Sequence, residues 1–429
     1  MTMDAVKKMD EALEKLLAAR ELQPPGLGVI VYKDGQEAYS CFRGCRSLGE
    51  NKRPMTRKAR FRIASISKTF VAFTLLQLWA AGKLDLDGEA GDYLGFNLRH
   101  PLYPHIPITL RMLACHTSSL RDGKLYSIPP DKGLEEFFTP EGEYWEKGAH
   151  FAPAGEMPGA YFSYANINYG LLGTVIEAVT GERFDKYQKE HILKELDTAA
   201  DYVPGNFSGE EFARLGAVYQ KKDDRGIWDE AGPWQGKIDD YQGAQPPRDS
   251  LFLQNPYAED RQESYSLANY RPGRNATIFS PAGGLRISCE ELAHALEMLL
   301  NEGSFRWQEV LAPPAFSLLT ASQWEYDPVQ KNGATYGGAI TNYGLGTYRM
   351  VGLCQDPQIE FLGHTGEAFG LLSALCIRPG TRDGFLYVLN GTAMDVDKDL
   401  RSQGRYSGNS IWEEYLAEAI WQNILNPRG

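Results

Sequence analysis

The stretch "RIASISKTF", residues 62–70, places a serine and a lysine in front of a strongly apolar run. Ser65 and Lys68 are three residues apart, a spacing that puts two side chains on one face of a helix. A serine hydroxyl is a weak nucleophile until a neighbouring base takes its proton, and a lysine is such a base once burial lowers its pKa. The next run, "VAFTLLQLWAA", is apolar nearly all round and predicts a buried helix. The stretch indicates an activated serine, although a serine that only begins a helix shows the same pattern.

A second stretch, "FSYANINYG", contains Tyr164 and Asn166 just before a predicted helix. A tyrosine relays a proton where a nearby ammonium stabilises its phenolate. An asparagine two residues further on points the same way in an extended segment, and its amide can hold both a lysine and a substrate carbonyl. Taken alone, a buried aromatic followed by a helix-capping asparagine is the better explanation.

A third stretch, "FLGHTGEAFG", places His364-Thr365-Gly366 between two short apolar runs. Gly366 is expected to let a substrate approach the strand backbone closely, because glycine has no side chain in the way. Taken alone, a β-turn with an exposed histidine explains this stretch equally well.

The strand patterns lie at both ends of the chain and predict an α+β fold. "GLGVIVYK" and "QEAYSCFR" flank Asp34-Gly35, which is typical of a β-hairpin. Three more strands are predicted near the other end, at 345–353, 369–377 and 384–390. Joined to the hairpin, they predict an antiparallel sheet of about five strands flanked by helices, with a largely helical second lobe.

The helix patterns fill the middle of the chain and its two ends. They fall at 4–20, 65–81, 109–115, 134–138, 166–180, 183–194, 289–301 and 409–425. Residues 1–64 and 281–429 are therefore predicted to form the sheet lobe, and residues 65–280 the helical lobe. A long polar loop is expected at about 203–280, and its aromatics Trp228, Trp234 and Tyr241 either shape the mouth of a cleft or anchor a surface excursion.

Composition and charge exclude several classes of partner. The 429 residues carry a formal net charge of −12, which argues against nucleic acid or anionic lipid. No uninterrupted apolar window of about 18 residues occurs, so no membrane span is predicted. The first twenty residues lack the apolar segment of a signal peptide, so a cytoplasmic location is expected. The cysteines and histidines show no metal-ligand spacing, and no metal or other cofactor is expected.

The order S-x-x-K, Y-x-N, H-T-G resembles the serine β-lactamase and penicillin-binding-protein superfamily. The chain looks closest to the branch of class C β-lactamases, DD-peptidases, related esterases and the lovastatin-type acyltransferase. The resemblance covers roughly residues 22–425 and includes "PITLRMLACHTSSL", "NYGLLGTVIEAVTG" and "SPAGGLRISCEELAHALEMLLNEG". It implies that Ser65 is acylated, that Lys68 and Tyr164 share the proton transfers, and that Asn166 positions both.

The resemblance also implies an oxyanion hole made by the backbone N–H groups of Ser65 and Glu367. His364 stands where β-lactamases carry a lysine, so a fixed positive charge is missing, and Glu367 replaces a residue that is often small. Arg286 and a basic residue of the long loop are the two candidates to supply the charge instead.

The expected function is a serine acyl hydrolase acting on a small-molecule ester or amide. The alternatives are an acyltransferase with an acceptor other than water, a β-lactamase or D-amino-acid peptidase, and a non-catalytic binding protein on the same fold. The chain has no G-x-S-x-G and no H-E-x-x-H, which disfavours an α/β-hydrolase and a zinc protease.

Overall fold

The structure is a computed structural model that describes residues 3–18, 23–49, 52–223, 225–239, 241–254, 262–395 and 405–426. Its centre is a seven-stranded antiparallel sheet. In spatial order the strands are Tyr348–Val351, Glu360–Ala368, Leu371–Ile377, Gly384–Leu389, Gly26–Lys33, Gln36–Ser47 and Arg53–Pro54. The predicted α+β fold with an antiparallel sheet is confirmed.

The sheet joins the two ends of the chain through the strand Gly26–Lys33. This strand pairs with its hairpin partner on one side and with Gly384–Leu389 on the other. Asp34 and Gly35 have φ values of 54° and 77°, the left-handed conformation that a tight two-residue hairpin turn requires. The predicted hairpin, and its place in one sheet with the later strands, are therefore confirmed.

The expected number of about five strands is too low, because the sheet has seven. The five strands counted from the sequence did not include Glu360–Ala368 and Arg53–Pro54. The longer strand was missed because its glycines look like turn residues. A Cβ atom at Gly363 would lie 1.9 Å from the carbonyl oxygen of Leu375. Close approach of neighbouring backbones, rather than a turn, requires glycine there.

Helices cover both faces of the sheet. Met3–Ala18 and Ile411–Ile420 share one core with Val29, whereas Cys289–Leu300 shares the other core with Ile30. Successive strand residues point to opposite faces, so a single strand supplies both cores. Burial of these faces supplies the hydrophobic driving force that holds the chain ends together.

The mainly helical region is built around two buried helices, Ser67–Ala80 and Ile167–Thr180. Shorter helices surround them: Ala90–Leu94, Leu110–Ala114, Glu135–Phe138, Phe184–Gln188, a π-turn at Lys189–Leu193, and Gly209–Phe212. A further helix, Pro313–Thr320, packs against Ser67–Ala80. Eleven of the fourteen residues of Ser67–Ala80 are buried, as the apolar sequence predicts.

The polar stretch at 203–280 contains four short strands: Val218–Gln220, Gln235–Ile238, Ser250–Gln254 and Gln262–Ser266. Other short strands pair outside the sheet, namely Arg60–Arg62 with Arg286–Ser288, Ser304–Phe305 with Gln308–Glu309, Trp324–Glu325 with Asn342–Tyr343, and Gly391–Thr392 with Val218–Gln220. The division into lobes at residues 64 and 281 stays a prediction. Within the described ranges, every helix is too short or too polar to serve as a membrane span.

Candidate active site

Ser65 lies on the wall of a cleft, half-buried in a single 3-10 turn that leads into the helix Ser67–Ala80. The preceding Ala64 has a φ of 47°, a left-handed conformation that costs a non-glycine residue about 1–3 kcal/mol. Hydrogen bonds hold the turn in place: Ile63 donates its N–H to Leu285 O at 3.0 Å and accepts from Ser373 Oγ at 3.0 Å. Such strain persists only where the surrounding structure fixes the residue, and it is common at active sites.

Lys68 is fully buried, and its Nζ atom contacts three oxygen atoms. Nζ lies 3.0 Å from Ser65 Oγ, 2.9 Å from Asn166 Oδ1 and 3.0 Å from Ala282 O. Burial lowers the pKa of Lys68 to about 7, although the negative charge of Asp122 acts in the opposite direction. A large fraction of Lys68 is therefore a neutral amine near neutral pH.

The Tyr164 ring packs between Lys68 and His116. Lys68 Nζ lies 4.6 Å from the centre of the Tyr164 ring, and the His116 ring lies 4.2 Å away on centroids. Burial raises the pKa of Tyr164 well above 10, while the nearby Ser65 hydroxyl acts to lower it. Tyr164 is therefore a protonated phenol, and the expected stabilisation of its phenolate by an ammonium is not observed.

Asn166 directly precedes the helix Ile167–Thr180, but its side chain makes no capping hydrogen bond. Asp122 occupies that place, because its Oδ1 accepts from the Ile167 N–H at 2.8 Å. The other oxygen, Oδ2, accepts from Asn166 Nδ2 at 2.9 Å. The side-chain oxygen of Asn166 is thus left to face Lys68. Sequence reasoning missed Asp122, whose only signal is its position two residues after "HTSSL".

His364 lines the cleft, but both of its ring nitrogens are engaged. Nδ1 donates to the carbonyl oxygen of Thr365, and Nε2 accepts from the Tyr343 hydroxyl at 2.8 Å. Burial, aided by the charge of Lys68, lowers the pKa of His364 to about 3, so the ring is neutral. The one N–H of His364 is therefore already used within the protein, and a place for His364 in substrate binding stays a prediction.

Gly366 and Glu367 lie on the part of the strand Glu360–Ala368 that borders the cleft. Strand Tyr348–Val351 pairs only as far as Gly363, so residues 364–368 have no strand on that side. A Cβ atom at Gly366 would lie 2.4 Å from Ile63 O. Glycine therefore makes room for the turn before Ser65, and not for a substrate as the sequence had suggested. Glu367 is exposed and lines the cleft. The role of its N–H in an oxyanion hole stays a prediction.

The cleft has a volume of about 690 Å³ and an aromatic rim. The large exposed rings that line it are Tyr126, Tyr336 and Phe369. The aromatics that the sequence suggested, Trp228, Trp234 and Tyr241, do not line it. Trp228 and Trp234 instead pack on Lys222 and Lys221. Among the described residues no group of three His, Cys, Asp or Glu side chains could hold a metal ion.

A buried carboxylate, Asp239, binds two arginines beside the cleft. Arg62 Nε lies 2.7 Å from Asp239 Oδ2, and Arg286 Nη2 lies 2.6 Å from Asp239 Oδ1. Arg62 lines the cleft, whereas Arg286 is buried behind it and also donates to Tyr202 O and Gly284 O. The expectation that Arg286 supplies a charge to the substrate is therefore wrong, because its guanidinium is committed to the protein.

Replacing Asp239 by asparagine is expected to lower the free energy of unfolding by about 3–5 kcal/mol, because it leaves the buried Arg286 and the partly buried Arg62 without their anion. Urea unfolding followed by circular dichroism measures the change. The matched control is Glu190→Gln, which breaks an exposed ion pair with Lys194 and is expected to cost less than about 1 kcal/mol. Equal effects of the two substitutions would contradict the importance of the Asp239 cluster.

These features define a class of protein: a serine hydrolase in which a buried lysine lies beside the serine, at a cleft between an antiparallel sheet and a helical region. A family model described as Beta-lactamase matches residues 9–406. The chain belongs to the Beta-lactamase family, and the resemblance drawn from the three sequence motifs is confirmed.

Two curated relatives align with part of the chain. Protein flp of Staphylococcus aureus (strain NCTC 8325 / PS 47) is 26% identical over 199 residues, which are 46% of this chain and 38% of that protein. A Beta-lactamase of Pseudomonas fluorescens is 28% identical over 200 residues, 47% of this chain and 51% of that protein. The matched region thus spans about half of these relatives' length or less.

Solved structures share the fold over nearly the whole chain. The D-amino acid amidase from Ochrobactrum anthropi SV3, complexed with D-phenylalanine, has a TM-score of 0.64 at 19% identity, covering 98% of this chain and 99% of that chain. The octameric penicillin-binding protein homologue from Pyrococcus abyssi has a TM-score of 0.62 at 23% identity, covering 91% and 74%. At these identities the likeness shows a common fold.

Proposed function

We propose that this protein is a serine acyl hydrolase, an esterase or amidase that works through an acyl-enzyme on Ser65. The three partners of Lys68 Nζ carry the proposal. A neutral amine has two N–H groups and one lone pair. Asn166 Oδ1 and Ala282 O can only accept hydrogen bonds, so they take both N–H groups. The lone pair is left for the proton of the Ser65 hydroxyl, 3.0 Å away.

This arrangement supports a two-step reaction. Ser65 Oγ attacks the carbonyl carbon of the substrate, and its proton passes to Lys68 Nζ. The tetrahedral intermediate then breaks the ester or amide bond, the leaving group takes the phenolic proton of Tyr164, and the Lys68 ammonium returns a proton to Tyr164. Water then attacks the acyl-enzyme, and the same proton transfers run in reverse. This step releases the acid and free Ser65. The backbone N–H groups of Ser65 and Glu367 are proposed to bind the oxyanion.

The charges of the cleft favour a substrate without a carboxylate beside the scissile carbonyl. Arg62 is the only lysine or arginine among the described residues that line the cleft, and Asp239 already binds it. His364 is neutral, and Glu367 adds an exposed carboxylate. The aromatic rim suits an apolar or aromatic group on the substrate. The D-phenylalanine in a neighbouring amidase structure supports the same kind of group.

A serine-reactive fluorophosphonate tests the proposal directly. Wild-type protein is expected to gain one adduct, which intact-mass and peptide mapping place on Ser65, and Ser65→Ala is expected to gain none. Absence of labelling in the wild type would favour a non-catalytic binding protein instead. Product analysis with and without added alcohols or amines then separates hydrolysis from acyl transfer, since the two differ only in what attacks the acyl-enzyme.

For neutral short-chain aryl esters, kcat/KM is expected to exceed that for cephalosporins by at least about tenfold. The reason is that a charged partner makes a hydrogen bond roughly twice as strong as a neutral one, and the cephalosporin carboxylate finds no unengaged cation among the described lining residues. Initial rates on both substrates measure the ratio.

Glu367→Gln is the companion variant for this comparison. It removes an exposed negative charge from the cleft lining without changing side-chain size, so it is expected to narrow the ratio of the two kcat/KM values. Efficient cephalosporin turnover by the wild type would defeat the charge argument.

A further inference from the structure

We propose that Asp122 is a positioning residue for the Ser65 chemistry, because it fixes the Asn166 amide with its oxygen toward Lys68. The kinetic consequence rests on the proposed function, whereas the geometry does not. Asp122 is the residue that sequence reasoning missed, and it does not itself line the cleft but contacts the lining residue Asn166 from behind. Its two oxygens are bound by Asn166 Nδ2 at 2.9 Å and by the Ile167 N–H at 2.8 Å.

The hydrogen-bond directions leave one orientation of Asn166. Burial raises the pKa of Asp122, whereas the hydrogen bonds from Ile167 and Asn166 act to lower it and favour the ionised form. An ionised carboxylate only accepts, so the Asn166 NH₂ group must face Asp122 and the amide oxygen must face Lys68. A reversed amide would place two oxygens together at Asp122 and two donors together at Lys68. Lys68 would then lose one of the two acceptors that occupy its N–H groups, and its lone pair would no longer be directed at Ser65.

The charge of Asp122 acts on Lys68 as well. Among the described residues, the other titratable groups that affect or face Lys68 are His116, His364, Tyr164 and Tyr169. Those that interact with Asp122 are Arg121, Tyr126, His150, Tyr164 and Tyr336. Burial lowers the pKa of all three histidines and raises that of all four tyrosines, so they keep their neutral forms around pH 7. Asp122 is thus the group that raises the pKa of Lys68 against the effect of burial.

The test is the pH dependence of kcat/KM for Asp122→Asn. An asparagine satisfies only one of the two donors, so the Asn166 amide is expected to turn, and the plateau of kcat/KM is expected to fall about tenfold to a hundredfold with KM nearly unchanged. Because the anion is lost, Lys68 deprotonates more readily and the acid limb is expected to move to lower pH. A reduced rate with an unmoved limb indicates a merely structural residue and overturns the proposal.

The matched control is a double variant that exchanges the two side chains, Asp122→Asn combined with Asn166→Asp. The amide introduced at position 122 can donate to the carboxylate introduced at position 166 and still accept from the Ile167 N–H, so every hydrogen bond is restored with the charge next to Lys68. The plateau is expected to recover relative to Asp122→Asn, and the acid limb to move above that of the wild type. Limbs that move in the same direction in both variants would overturn the proposal, and the double variant provides the test if the single variant does not fold.

A measurement without substrate separates this proposal from the proposed function. NMR titration of protein labelled with ¹³Cε-lysine reports the protonation of Lys68, which is assigned by the signal lost in Lys68→Met. The Lys68 midpoint is expected to be lower in Asp122→Asn than in the wild type, and an equal midpoint contradicts the role of Asp122. Failure of phosphonate labelling, by contrast, contradicts only the proposed function.

Discussion

Replacing Ser65 by alanine is expected to lower kcat on a neutral aryl ester by about four to six orders of magnitude. No other described hydroxyl has the contact that Ser65 Oγ makes with Lys68 Nζ at 3.0 Å. Water cannot take the place of the serine in acylation, because the proposed reaction passes through a covalent ester on that oxygen. Steady-state rates and intact-mass detection of the acyl-enzyme measure the two consequences separately.

Ser67→Ala is the matched control for this prediction. Ser67 is the first residue of the helix that follows the Ser65 turn, but it is fully buried and accepts from the Leu285 N–H at 3.2 Å instead of lining the cleft. Its removal is expected to lower the free energy of unfolding by about 1–3 kcal/mol and to leave kcat within about threefold. A near-normal rate in Ser65→Ala, or a collapse of kcat in Ser67→Ala, would refute the assignment of the nucleophile.

Local signals explain why much of the fold could be predicted from the sequence. Asp34-Gly35 sets the hairpin through its own backbone conformation, and the apolar run after Lys68 predicts a buried helix without reference to the rest of the chain. The strand Glu360–Ala368 could not be found in this way. Its glycines resemble turn residues. In the structure they are required because Leu375 and Ile63 approach the strand closely, which no local pattern shows.

The same distinction separates the predicted part of the site from the missed part. The pairs Ser65–Lys68 and Tyr164–Asn166 could be predicted because their members are close in sequence. In the structure Ser65, Asn166 and the Tyr164 ring all lie around Lys68 Nζ. Asp122 lies 44 residues before Asn166, and only the fold brings the two side chains together. Because the state of His364 and of the arginines likewise depends on distant partners, residue type alone could not predict their roles.

Lys68→Met is expected to lower kcat/KM by about 10²- to 10⁴-fold, the usual contribution of a general base. Methionine has nearly the same length as lysine but no amine nitrogen. Ser65 therefore keeps its place and loses its proton acceptor. Tyr164→Phe is expected to cause a loss in the same range, because the leaving group then lacks its proton donor.

The two losses are not expected to multiply. Lys68 Nζ lies over the Tyr164 ring, and in the proposed reaction one proton passes between them, so removal of either residue disables the same unit. The double variant is therefore expected to be only slightly slower than the worse single variant. A double-mutant cycle measures this coupling, and independent, multiplicative losses would contradict a shared proton path.

The pH profile identifies which group acts as the base. Lys68 must be neutral to accept the serine proton, so wild-type kcat/KM is expected to rise with pH through about 7 and then to level off. Tyr164, with its pKa well above 10, and His364, with a pKa of about 3, do not titrate in this range. Tyr164→Phe is therefore expected to keep the acid limb at a lower plateau, and Lys68→Met to lose it.

A second buried group makes this comparison necessary. Burial also raises the pKa of Glu177 to about 7, although that carboxylate accepts from Phe184, Tyr270 and Gly273 and does not line the cleft. Its ionisation weakens the fold as the pH rises from about 4.5 to about 7, since the folded protein holds the proton more tightly than the unfolded chain. An effect of Glu177 on the stability of the fold would therefore lower activity through this range, whereas activity that depends on neutral Lys68 rises. Residual activity of Lys68→Met that still rises through pH 7 would assign the limb to another group and remove Lys68 as the base.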